Sequence, residues 1–246
     1  MTSSHTNPFG DVKSPQVDLQ VQTRSSRGSD SADAHSIDLS ASSRLYHIYH
    51  STVRYDYRVC DADKNHLYFV HNSHLKPLKE DITVHAGSDN STPVLAVCKF
   101  LHFSRHCKVG LGDPQHPGAM VWEDLQGQNL TMTKYRWQMS VHSENGGFER
   151  RWFVWKRTQS LGVDGDSPSV LSLRNFKLVD DMTGQVVAVF TSNSFRSVRK
   201  NGKLKVTAEY GPNFDIVALV TLLAMYERIR RRTGGKGGGG GGGDGG

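Results

Sequence analysis

Apolar and polar residues alternate along most of this chain with a period of two. In the stretch from Leu204 to Tyr210, Leu204, Val206, Ala208 and Tyr210 fall on one side and Lys205, Thr207 and Glu209 on the other, as a half-buried strand requires. Val53, Tyr55, Tyr57 and Val59 alternate in the same way with Arg54, Asp56 and Arg58. Residues 94–101 are apolar on both faces except at Lys99, the pattern of a strand covered on both sides. Turn-forming clusters separate such runs at short intervals, which predicts antiparallel all-β topology. Asp180 to Gln185 predicts a hairpin between Phe176–Val179 and Val186–Phe190. A second hairpin is expected at Lys200 to Lys203 with Asn201-Gly202 at its tip, and a third at Leu125 to Asn129, joining Met120–Trp122 to Leu130–Met132. About eleven or twelve strands follow from this spacing.

One segment breaks the alternation. Residues 214–226 are apolar almost without interruption and have no polar face. A helix that is hydrophobic all round must be enclosed by protein or lipid, and this run is shorter than the roughly 20 residues that span a hydrocarbon core. No transmembrane span is therefore predicted. The container is the set of strands between Leu45 and Tyr210. Asn213 or Asp215 is suited to cap the helix start, and the arginines between Arg228 and Arg232 suit the negative end of its dipole.

Composition divides the chain into three parts. Residues 1–44 are rich in Ser and Asp with few apolar residues, which predicts a disordered tail. Residues 45–232 form the expected domain, and the Gly-rich residues 233–246 a second disordered tail. The 246 residues carry a net charge of +6, which favours anionic partners. Cys60, Cys98 and Cys107 are widely spaced, and the opening residues contain no apolar stretch of leader type. A reduced, cytoplasmic protein, peripheral to a membrane if bound to one, is the expectation.

Many short antiparallel strands followed by one apolar C-terminal helix resemble the superfamily of tubby C-terminal domains, LURP-one-related proteins and phospholipid scramblases. The resemblance is carried by Phe214 to Arg232, by Trp122 to Gly127, by the aromatic strands Tyr135 to Met139 and Arg151 to Lys156, and by the Asp181 to Phe190 hairpin. It implies a mainly β fold, a roughly 12-stranded antiparallel barrel around a central hydrophobic C-terminal α-helix. It also implies a non-enzymatic module that binds phosphoinositides or other anionic lipid headgroups. Tubby domains use a Lys-x-Arg pair for such headgroups, and Lys134 and Arg136 match it. Branch markers of scramblases are missing: there is no cluster of palmitoylatable cysteines, no proline-rich leading region and no calcium-loop spacing.

The residues themselves supply a reason for that pair. On a strand Lys134 and Arg136 share a face with Met132 and Gln138, opposite Thr133, Tyr135, Trp137 and Met139. Cations about 7 Å apart can hold neighbouring phosphates, Arg as a bidentate fork and Lys as a point charge. A second basic zone comprises Arg196, Arg199, Lys200, Lys203 and Lys205 around the expected Asn201-Gly202 tip. His71 with His74, and His102 with His106 and Cys107, lack the convergent spacing of a zinc site. No metal site or cofactor is predicted.

Neither is catalysis: Gly110-Leu111-Gly112 is no phosphate loop, and Glu123 and Asp124, adjacent in sequence, are expected to begin a turn. Trp122, Trp137, Trp152 and Trp155 are expected to fill the barrel, with Arg150, Arg151, Lys156 and Arg157 facing outward, which disfavours nucleic acid. Competing functions are a membrane-associated scramblase-like protein and an adaptor that uses its N-terminal tail to hold protein partners of unknown identity.

Overall fold

The structure is a computed structural model that describes residues 43–51, 55–73, 80–143, 146–163, 174–192 and 200–234. Twelve strands form one closed antiparallel barrel: β1 (Arg44–His50), β2 (Tyr57–Cys60), β3 (His66–Asn72), β4 (Ile82–Ala86), β5 (Val94–Phe100), β6 (Cys107–Leu111), β7 (Val121–Gly127), β8 (Lys134–His142), β9 (Phe148–Arg157), β10 (Phe176–Asp180), β11 (Val186–Ser192) and β12 (Lys200–Val206). Each strand pairs with its sequence neighbours, and β12 closes the ring on β1 through Tyr46↔Leu204 and its flanking pairs. Closure leaves the sheet without a free edge strand. The alternation works as expected: along β8, Tyr135, Trp137, Met139 and Val141 are buried while Lys134, Ser140 and His142 are exposed.

The helix α1 (Pro212–Gly234) fills the lumen. Every residue from Phe214 to Glu227 is buried, including Ala218, Leu219, Leu222 and Leu223. Burial on all sides reflects contacts all round the barrel. Phe214 packs on Trp137 of β8 and Phe153 of β9, and Tyr226 meets Phe190 of β11 edge-on. The indole N–H of Trp155 donates to the Thr221 hydroxyl at 2.9 Å, and that hydroxyl in turn donates to the Val217 carbonyl oxygen at 2.8 Å. The Thr221 hydroxyl is thus satisfied on both counts.

Both helix ends are tied to the wall by charge. In the first turn, Asp215 accepts from Arg44 Nε at 2.5 Å and from the Tyr46 hydroxyl at 2.6 Å, where a carboxylate complements the helix dipole. Burial and the neighbouring Asp215 carboxylate hold the Tyr46 phenol well above its ordinary range. Near the other end, Glu227 is fully buried and accepts from the Tyr57 hydroxyl and from Arg230 Nε at 2.9 Å. Burial pushes its carboxyl pKa up, but the Arg230 and Tyr57 hydrogen bonds outweigh it and hold the pKa below the usual value. Arg228 donates to the carbonyls of Ser104 and His106, Arg231 pairs with Asp81 at 2.8 Å, and Arg232 donates to the Leu130 carbonyl.

Several sequence expectations are corrected. Asn201-Gly202 is not a hairpin tip: Gly202 lies within β12, paired with Ile48 and Ser192. A Cβ there would come within 2.3 Å of the Thr191 carbonyl oxygen and 2.6 Å of the Phe190 ring, so this glycine serves a close strand approach, beside a bulge at Ile48/Tyr49. Strand β7 runs on through Leu125 to Gly127, so Glu123 and Asp124 sit inside a strand and Leu130 to Met132 lie in the turn that follows. Tyr55 adopts φ of 59° and is exposed, which shortens the expected strand to Tyr57–Cys60. Trp137 and Trp155 fill the barrel, but Trp122 is exposed over Gly110 and Trp152 carries Arg136 on its outer face. Arg151 turns toward the mouth of the barrel, where it pairs with Glu149 and Asp180. The terminal tails lie outside the described residues, apart from the few positions that begin β1 and end α1.

Candidate functional site

The outer wall formed by β8, β9 and β10 carries an unusual row of like charges. Lys134 on β8 stands directly opposite Lys156 on β9, and Lys156 directly opposite Lys177 on β10. Directly opposed side chains on neighbouring strands have Cβ atoms about 5 Å apart, and like charges so placed repel. The row continues through Val189 on β11 to Lys205 on β12. All three lysines reach solvent, and among the described residues none of the three forms an ion pair. Elsewhere on the wall Lys108 pairs with Asp124 at 2.6 Å across β6 and β7 and Arg150 pairs with Glu123, while Lys99 on β5, opposite Lys108, is a single like-charge contact that does not extend into a row.

Arg136 lies on the same outward face, two residues beyond Lys134, as the strand pattern predicts. It is already engaged: its Nη2 donates to Asp181 at 2.9 Å, and its guanidinium lies 4.0 Å from the centre of the Trp152 ring. The Lys-x-Arg pair is therefore unequal in the folded protein. Lys134 belongs to a lysine row, whereas Arg136 is neutralised by Asp181 and held flat on an indole. An anion at Lys134 would find Lys156 and Lys177 before it found a free guanidinium.

Of the second basic zone, Lys203 lies on β12 opposite His47 and Thr191, not at a hairpin tip. Arg196 and Arg199 fall outside the described residues, as does the side chain of Lys200. His102 and His106 sit in the turn between β5 and β6 rather than on a helix. Lys156 and Lys177 were missed by reasoning on single strands, because a cross-strand row exists only once register is known.

At the other mouth of the barrel a cleft of about 290 Å³ opens beside the start of α1, floored by Val109, Leu111, Met139 and Val217. Glu123 and Arg150, paired with each other, line it together with Ser140 and His142, and among the described residues no hydrogen bond joins that serine to that histidine.

A closed twelve-stranded barrel around its own C-terminal helix, with a lysine row on its outer wall, defines the class of protein. No family model matches the chain, and no curated protein matches it in sequence. Among solved structures, one of a protein from Arabidopsis thaliana, AT5G01750, is similar over 76% of this chain and 92% of that one, with 13% identity and a TM-score of 0.41. No helix of the described residues is long and apolar enough to cross a membrane.

Proposed function

We propose that this chain is a non-enzymatic tubby-like domain that binds phosphoinositides or other anionic phospholipid headgroups through Lys134, Lys156 and Lys177. The observation that carries the proposal is the row itself. Three directly opposed lysines with no partner among the described residues destabilise the folded wall, and a multiply charged phosphate relieves that repulsion while gaining three charge-assisted contacts. A headgroup bearing two or three phosphates matches a row of this length. Arg136 contributes only if it gives up Asp181, so its share is smaller than the sequence pattern suggests. Lipid translocation by insertion of α1 is disfavoured on physical grounds, since the helix would have to leave the barrel that buries it from Phe214 to Glu227.

Vesicle sedimentation tests the proposal. Vesicles of phosphatidylcholine with a phosphoinositide should pellet the protein, phosphatidylcholine alone should not, and added salt should weaken binding. Each of Lys134→Ala, Lys156→Ala and Lys177→Ala should lower affinity about fivefold, from about 1 kcal/mol per near-surface cation. Arg136→Ala should cost less. Equal weak binding to both vesicle types, unchanged in the triple lysine variant, would overturn the proposal.

A further inference from the structure

The barrel has two chemically different ends. Because every neighbouring pair is antiparallel, the turns after β1, β3, β5, β7, β9 and β11 gather at the end where α1 finishes. Two of these turns present large apolar side chains to water. Phe103, between β5 and β6, has a relative exposure of 111%, and Leu130, between β7 and β8, has 78%. Phe103 also holds φ of 54°, a left-handed conformation rarely adopted by a bulky residue, as does Met132 at 58° in the second turn. A bare aromatic ring on a strained backbone gains nothing from the fold that displays it, and such features mark functional surfaces.

The two turns act as one surface. Arg228 donates to the carbonyls of Ser104 and His106, and Arg232, one helical turn further, donates to the carbonyl of Leu130. A Cβ added at Gly127 would lie 2.9 Å from Arg105 Cβ, so the first turn packs directly on the base of the second. Neither turn contains a carboxylate, and Arg105, Arg228, Arg232 and Lys134 surround them. Lys134, at the foot of the Leu130 turn, begins the lysine row, so the row adjoins this end. Of the carboxylates in the other described turns at this end, Asp81 is paired with Arg231 and Asp56 is buried, which leaves Glu80; the opposite end also exposes Phe148 and Met182, but its turns carry Asp61, Asp63, Asp89 and Asp113, with Asp181 paired to Arg136.

We propose that the end of the barrel at which α1 finishes docks on an acidic membrane surface, with Phe103 and Leu130 inserted among the acyl chains and the surrounding cations on the headgroups. Apolar tips within a basic collar fit a surface that is negative at its face and apolar beneath. The carboxylates at the far end are then turned toward water. This rests on the headgroup reading above and adds the face and the depth of contact.

Site-specific labelling tests it on the full chain. Cys60, Cys98 and Cys107 are buried, so an environment-sensitive dye can be directed to Phe103→Cys or, as a control at the far end, to the exposed Met182→Cys. With vesicles of phosphatidylcholine and phosphatidylserine, the dye at 103 should brighten, shift to the blue and be quenched by lipids spin-labelled in their chains. The dye at 182 should not change. Phe103→Ala with Leu130→Ala should weaken vesicle binding at least about tenfold, from the apolar burial lost, and leave the affinity for soluble inositol hexakisphosphate unchanged. If vesicles bind but the dye at 103 stays in water, docking by this end is overturned while the lysine row stands. The same holds if inositol hexakisphosphate binds and vesicles do not. Loss of binding to both overturns both proposals.

Discussion

Glu227 offers the sharpest test of how the helix is held. Its side chain is fully buried inside the barrel, yet it receives the Tyr57 hydroxyl from β2 and a two-point contact from Arg230, with Nη2 at 2.6 Å. Replacing it with Ala leaves a phenol and a guanidinium facing an apolar hole. Breaking a buried ion pair by removing one partner costs about 3–5 kcal/mol. Arg230 retains some solvent access, with a side-chain exposure of 21%, so a cost of about 3 kcal/mol is expected. For a domain of this size that lowers the melting temperature by roughly 6–12 °C. Glu227→Gln, which keeps an acceptor for Tyr57 but no charge, should lose less, about 1–3 kcal/mol. Thermal melts followed by circular dichroism, together with urea titrations of Tyr57→Phe, Glu227→Gln and the double variant, measure the losses and their coupling. If Glu227→Ala melts within about 2 °C of the parent, well inside the shift expected, the carboxylate does not anchor the helix and the account of its C-terminal half is wrong.

The pH dependence follows from the same group. The folded carboxyl of Glu227 is held below its ordinary value, so its contribution is full above the unfolded pKa of about 4.3 and is lost as pH falls through the folded one. Asp180 behaves likewise: burial raises its pKa, but hydrogen bonds from Tyr210, the Met182 N–H and Arg151 outweigh this and lower it. Urea midpoints measured across the acid range should therefore fall less steeply for Glu227→Gln than for the parent; parallel acid limbs would contradict this. Leu222→Asp should abolish folding, because it places an unpaired charge at a position with no solvent access, and soluble folded protein would refute the central-helix account. Gly202→Ala should cost about 1–3 kcal/mol by overpacking against the Thr191 carbonyl and Phe190; urea unfolding measures it, and a loss within about 0.5 kcal/mol would refute the close approach.

Local pattern determined a large part of this fold. Period-two alternation placed the buried faces of β8 and β12, Asp180 to Gln185 set one hairpin correctly, and an apolar run without a polar face required an enclosed helix. These features depend on a few neighbouring residues and on their contact with water, which sequence displays directly. Asn201-Gly202 shows where local pattern fails: the same dipeptide suits a type I′ turn and a close strand crossing, and only the Phe190 ring packed against Gly202 decides between them. The candidate site divides in the same way. That Lys134 and Arg136 share a face is a property of one strand, legible from spacing alone. That Lys134 stands beside Lys156 and Lys177, while Arg136 is taken up by Asp181 and Trp152, depends on register across β8, β9 and β10. Electrostatic repulsion acts through space over a few ångströms, and residues 22 and 43 positions from Lys134 reach that distance only after the sheet has closed.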